Sequence, residues 1–230
     1  MNWANKNTQT LWCPGIAGAG KTIFTSVVIK HLKDAQKDKE PATKAGIACL
    51  YCEYERQKDQ TTHSLLAAVL RQLADQSIPF PKSVEELYKL HDTGKTHHNF
   101  DEISSVLIEA IRKFSQVFLV VDALDECSEK SCRELLSNLQ DLQKKTGMKL
   151  LATSRHTVDF RQNFEGCAML EIKANESDVK AVLDSQMGVL SACVTTDNSI
   201  LRNKVKEEIA AAVDGMYAID SRTHRCFITD

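Results

Sequence analysis

The chain has 230 residues, 29 of them basic and 31 acidic, for a formal net charge of −2, a length that suits one domain or one domain with an appendage and can bury roughly 70% of the unfolded surface. So balanced a chain offers no strong field to nucleic acid or an anionic membrane, and any recognition of phosphate has to be local. The start, Met1-Asn2-Trp3-Ala4-Asn5-Lys6-Asn7, is too polar for a signal peptide and Asp122 interrupts the most apolar stretch, so no bilayer span is expected and the chain reads as cytoplasmic.

Leu11-Trp12-Cys13 is a short apolar run that can end a strand. Directly after it, Gly15-Ile16-Ala17-Gly18-Ala19-Gly20-Lys21-Thr22 fits the phosphate-loop pattern GxxxxGK[ST]. Glycines there let backbone N–H groups turn inward around a β-phosphate, where the following helix also presents its positive end. Gly15, Gly18, Ala19, Gly20, Lys21 and Thr22 are therefore expected to bind a nucleotide, Lys21 reaching the β- and γ-phosphates and Thr22 ligating Mg²⁺. Ile23, Val27, Val28 and Leu32 then recur at helical spacing with Lys30 and Lys33 on the other side, which predicts an amphipathic helix. The base pocket is sought near Trp3 to Thr10.

Gly46 to Tyr54 reads as a strand. It contains Cys49 and Cys52 in CxxC form, but i and i+3 on a strand point to opposite faces, so the pair does not read as a ligand set. Leu65, Leu66, Val69, Leu70 and Leu73 predict a helix, after which Pro79 and Pro81 break the long connection. His91, His97 and His98 fall in a polar loop, and a second helix follows on Ile103, Leu107, Ala110 and Ile111.

Val117-Phe118-Leu119-Val120-Val121-Asp122 is a continuous apolar run ending in a carboxylate, as expected of a strand buried on both faces. Such strands also end in an aspartate that merely caps a turn. About 100 residues after a phosphate loop, however, Asp122 reads as the Walker B residue that holds the water shell of Mg²⁺. Asp125 and Glu126 lie just beyond it. Glu126 is the first candidate to orient or deprotonate an attacking water and Asp125 the second, with a solvated acidic turn as the alternative. Leu135, Leu136, Leu139 and Leu142 mark the next helix. Leu150 to Thr153 is a further buried strand candidate, followed by Arg155, which either addresses the γ-phosphate or pairs on the surface. Cys167 to Ile172 is the last strand candidate.

The eight cysteines are scattered through these elements rather than set at metal spacings, and they read mostly as reduced, buried thiols. Strands alternating with helices predict an α/β fold, a three-layer P-loop NTPase with a mainly parallel sheet whose carboxyl edge carries the phosphate loop.

Taken together, the segments 11–22, Tyr51-Cys52-Glu53-Tyr54, Val-Val-Asp-Ala-Leu-Asp-Glu-Cys at 120–127 and Ala-Thr-Ser-Arg at 152–155 closely resemble the NACHT NTPase domain of the STAND class. The flavour is that of filamentous-fungal NOD-like receptors, which often carry ankyrin or WD repeats. The resemblance runs from about Trp3 to about Tyr217. It departs mildly at Ala17, where the family often has proline. It implies an ATP/ADP-binding switch, GTP not being excluded, that uses Mg²⁺, hydrolyses slowly and acts in non-self recognition or programmed cell death. It also implies self-association or association with full-length NACHT proteins; neither nucleic acid nor membrane is an expected partner. Matched by motif, Lys21 and Thr22 are the Walker A pair, Asp122 the metal aspartate, Asp125 and Glu126 the acidic doublet, and Arg155 the sensor arginine.

The expected organisation is an NTPase core over residues 1–174, the start of a helical extension over 175–217, and a divergent, disordered tail over 218–230. On this reading the chain is a truncated member without the family's winged-helix latch, binding nucleotide with modest affinity and unable to regulate itself. A non-hydrolysing nucleotide-binding scaffold or decoy is the competing reading. A phosphotransferase is disfavoured, since no arginine-rich lid follows the long connection and the acidic doublet suits activation of water.

Overall fold

The computed structural model describes residue 3 and residues 8–40, 43–77, 79–85, 100–156 and 158–173. The helical extension and tail expected over 175–230, and His91, His97 and His98, lie outside the described residues.

Five strands, β1 (Thr10–Pro14), β2 (Gly46–Tyr51), β3 (Val117–Asp122), β4 (Lys149–Ser154) and β5 (Ala168–Met169), form one parallel sheet in the order β2-β3-β4-β1-β5. Alternation along each strand sends side chains to two separate cores. Leu11, Cys13, Phe118, Val120 and Leu151 meet Ile29 and Leu32 of helix α1 (Lys21–Asp34) on one face. Trp12, Leu119, Val121, Leu150 and Ala152 face the other way. There they meet α2 (Thr62–Gln76), α3 (Phe100–Ile111) and α4 (Glu129–Thr146). A short α5 (Val158–Asn163) precedes β5. The result is the three-layer α/β arrangement the sequence predicts.

The helices begin and end where local chemistry dictates. Thr61 and Ser128 cap α2 and α4 by accepting the N–H groups of Ser64 and Ser131, each cap contributing about 1 kcal/mol. The leucines expected to be apolar stripes on α2 and α4 are all buried. Cys49 packs toward the α1 side and Cys52, one residue past the end of β2, belongs to the opposite core, so the two do not form a ligand pair.

Three expectations are corrected. On α1 the buried residues are Thr25, Ile29 and Leu32, whereas Ile23 and Val27 are 64% and 61% exposed. The helix is rotated so that its threonines, not its first aliphatic residues, face the sheet. β2 stops at Tyr51, and Tyr54–Arg56 is a 3₁₀ turn. Regular pairing of β5 covers only two residues, although the N–H groups of Leu170 and Ile172 still reach the carbonyls of Trp12 and Pro14 at 2.9 and 2.7 Å.

β2 is an edge strand, and glutamine side chains occupy its outer backbone groups. Gln76 donates to Ile47 O at 2.7 Å and accepts the Ile47 N–H at 3.0 Å. Gln72 does the same at Cys49, at 2.8 and 2.9 Å. Gln60 donates to Tyr51 O at 2.9 Å and accepts from Glu53 N–H at 3.0 Å.

Candidate functional site

The loop 15–20 leaves the carboxyl end of β1 and enters α1. Gly18 and Gly20 hold φ of 72° and 86°, the left-handed region that β-carbon sterics close to most residues. Gly15 is needed for a different reason: a β-carbon there would stand 2.6 Å from Ile172 O. Ala19 is fully buried. No side chain caps α1 and its first turn carries no acidic residue, so its positive end stays available to an anion. Lys21 Nζ donates to Gly15 O and Ile16 O, both at 2.9 Å. Burial lowers its pKa from the ordinary lysine value, against the pull of Asp125, Asp122 and Glu126.

β4 lies between β1 and β3, so the loop and the end of β3 are not on adjacent strands. They meet nonetheless. Thr22 Oγ1 donates to Asp122 Oδ2 at 2.6 Å, and Thr25 Oγ1 donates to Asp122 Oδ1 at 2.9 Å. Thr153, at the end of β4, donates to the same Oδ1 at 2.6 Å. Asp122 is 2% exposed, Thr25 and Thr153 not at all.

After Asp122 the chain turns sharply. Ala123 adopts φ 54° and ψ 46°, which costs a non-glycine residue about 1–2 kcal/mol. Its N–H is held by Thr153 Oγ1 at 2.9 Å. The turn delivers Asp125 and Glu126 to a cleft of about 420 Å³ whose floor is the loop from Ala17 to Thr22 and whose rim includes Ala123 and Arg155. Asp125 is engaged: its Oδ1 accepts the Arg155 N–H at 3.0 Å and its Oδ2 meets Arg155 Nε at 3.1 Å. Glu126 Oε2 accepts the Tyr54 N–H at 3.1 Å, and Gln57 Nε2 donates to Glu126 O at 2.8 Å.

Of the residues singled out from sequence, Gly18, Ala19, Gly20, Lys21, Thr22, Asp125, Glu126 and Arg155 line this cleft together. Asp122 lies beneath it and Gly15 behind it. Arg155 pairs with Asp125, the surface alternative considered from sequence. Trp3 does not belong to the cleft. It packs edge-on against Phe118 with ring centroids 5.6 Å apart, and its carbonyl accepts from Lys149 Nζ. Phe118 and Lys149 lie at the strand beginnings, the edge opposite the loop, and Thr10 begins β1 at that same edge. Residues missed from sequence are Thr25, Thr153, Gln57 and the Tyr54 amide. Thr25 stands one helical turn beyond Thr22, a spacing that gives both hydroxyls one face.

The donor set suits a hard cation. Thr22 and Asp122 offer hydroxyl and carboxylate oxygens at one point, the ligand type Mg²⁺ takes while keeping several of its waters.

Residues 1–155 match the family described as nephrocystin 3, N-terminal. No curated protein matches the chain. Among solved structures, the Orc1 protein of Aeropyrum pernix, in complex with DNA, has a TM-score of 0.56 at 14% identity, covering 91% of this chain and 50% of its own. Cdc6p from Pyrobaculum aerophilum has a TM-score of 0.53 at 18% identity, covering 87% of this chain and 49% of its own. The chain thus spans about half the length of these structures, and the likeness establishes the P-loop NTPase fold. It also corrects one expectation. Nucleic acid was excluded as a partner on net charge, yet a protein of this fold is in complex with DNA. A formal charge summed over the whole chain does not decide what a local surface binds.

Proposed function

We propose, from the premise that this chain belongs to the nephrocystin 3, N-terminal family, that it binds a Mg²⁺–nucleoside triphosphate, ATP foremost, in the cleft between loop 15–20 and the end of β3, and hydrolyses it slowly. One observation carries this reading: the 2.6 Å bond between Thr22 and Asp122, which joins a phosphate loop to a buried carboxylate across an intervening strand.

The roles follow from position. Loop amides and the open end of α1 bind the β-phosphate. Lys21 gives up its two loop carbonyls to reach the β- and γ-phosphates. Thr22 and Asp122 would hold the metal, which when bound spreads the developing negative charge of phosphoryl transfer. Glu126 accepts a proton from, or orients, the attacking water, and Arg155, once released from Asp125, addresses the γ-phosphate. The half-buried carboxylates of Asp125 and Glu126 are held by neighbours in the free state, which makes turnover slow. The role as a nucleotide-dependent signalling switch rests on the four-motif resemblance to the NACHT class.

The same hydrogen bonds favour a second reading. With Asp125 tied to Arg155 and Glu126 to the Tyr54 amide, the chain would bind nucleotide as a scaffold without cleaving it. Phosphate release by the wild type and by Glu126→Gln separates the two: hydrolysis predicts release above background in the wild type alone, the scaffold predicts background in both. Lys21→Ala is expected to abolish binding of a fluorescent ATP analogue under either reading, and retained binding overturns the loop assignment.

A further inference from the structure

We propose that Thr153 is the positioning residue of this cleft, whose single hydroxyl locks the metal-facing carboxylate and the acidic turn into one unit; the proposal rests on reading the cleft as a Mg²⁺–nucleotide site.

The hydroxyl sits at the end of β4, the strand between β1 and β3, and is wholly buried. It donates to Asp122 Oδ1 at 2.6 Å and accepts from the Ala123 N–H at 2.9 Å. It therefore uses one proton and one lone pair on two consecutive residues of β3's exit. Thr25 Oγ1, which also lies 2.9 Å from Lys21 O, offers a second donor to the same Oδ1. With Oδ1 held from behind, turning the carboxylate would break these bonds, and Oδ2 is the oxygen turned toward Thr22. The second bond acts on the turn. Ala123 is the only non-glycine residue at positive φ among the described residues, and its carbonyl accepts the Glu126 N–H at 2.8 Å. The conformation of Ala123 thus aims the Leu124–Glu126 turn that carries both acidic side chains.

Thr153 touches neither nucleotide nor metal in this scheme. A merely structural threonine would tolerate valine, which has the same shape, without any change in metal requirement. A hydroxyl that fixes a metal-facing group behaves differently, since outer partners of this kind govern metal affinity.

The test titrates Mg²⁺ against a fluorescent ATP analogue on the full chain, for wild type, Thr153→Val and Thr153→Ser. Thr153→Val is expected to raise the half-saturating Mg²⁺ concentration about tenfold or more, and Thr153→Ser to return it to within about threefold of the wild type. Binding of the analogue in EDTA should be equal in all three, because the loop and Lys21 are untouched. An unchanged Mg²⁺ requirement in Thr153→Val, or no recovery in Thr153→Ser, overturns the proposal. Should Thr153→Val not fold, or should the wild type bind no Mg²⁺–nucleotide (which sinks the reading of the cleft), amide exchange of the nucleotide-free wild type still decides the matter. The Ala123 amide is expected to exchange as slowly as the buried strand amides of β3, and fast exchange there overturns the proposal.

Discussion

The floor and the rim of the cleft are built on opposite principles. Beneath the floor, Asp122 is buried and accepts hydroxyls from Thr22, Thr25 and Thr153; that carboxylate has its partners before any ligand arrives, so it needs little reorganisation on binding. At the rim, Arg155 is 58% exposed and pairs with Asp125, while Glu126 leans on a backbone amide of a neighbouring turn. Water reaches the Arg155 end of that pair, although the Asp125 side chain is only 11% exposed, so the contact is worth less than a buried one. The difference teaches that grip is prepared in advance, whereas the groups suited to cleavage are parked where a ligand can recruit them.

The largest effect that would sharpen this contrast is at the rim. Glu126→Gln is expected to cut phosphate release by about a hundredfold to a thousandfold, with the affinity for nucleotide and the denaturation midpoint unchanged. A midpoint that falls by more than a small amount would mean that Glu126 belongs to the framework instead. On the floor the order is reversed. Asp122→Ala strips the buried Thr153 hydroxyl of its acceptor and leaves Thr25 only the Lys21 carbonyl at 2.9 Å, and chemical denaturation should show a loss of about 1–3 kcal/mol; wild-type stability in that variant would break the contrast outright. Arg155→Ala should change unfolding free energy by less than about 1 kcal/mol, while altering turnover. The smallest effect concerns Lys21. Its pKa lies below the ordinary 10.5 because of burial, and a bound polyphosphate favours the charged form. The nucleotide dissociation constant should therefore rise as pH climbs through the alkaline range, starting earlier than for an exposed lysine. A constant that is flat up to the ordinary lysine value would contradict this placement.

Much of the molecule was legible in the residues. The phosphate loop, the buried run ending in Asp122 and the leucine stripes of α2 and α4 are local patterns, and local patterns survive folding. What escaped was set by contacts between distant segments. Periodicity assigned Ile23 and Val27 to the core, but α1 is turned by the need of Thr22 and Thr25 to meet Asp122, a partner about 100 residues away. Thr153 reads as an ordinary strand residue, since its value depends on the conformation of Ala123, just past the end of β3. The strand at Gly46 ran on to Tyr54 in the sequence because Cys52 and Tyr54 suit a strand well; in the fold, Gln60 and the 3₁₀ turn end it.

The glutamines along β2 have one more consequence. Four residues of helix advance about 6 Å, and two residues of strand about 6.6 Å, so Gln72 and Gln76 fall into step with Cys49 and Ile47 as an impostor strand made of carboxamides. A foreign chain approaching this margin finds its docking slots already taken. Among the described residues it is side chains that hem the sheet on that side, which guards it against the growth by strand accretion that bare margins invite.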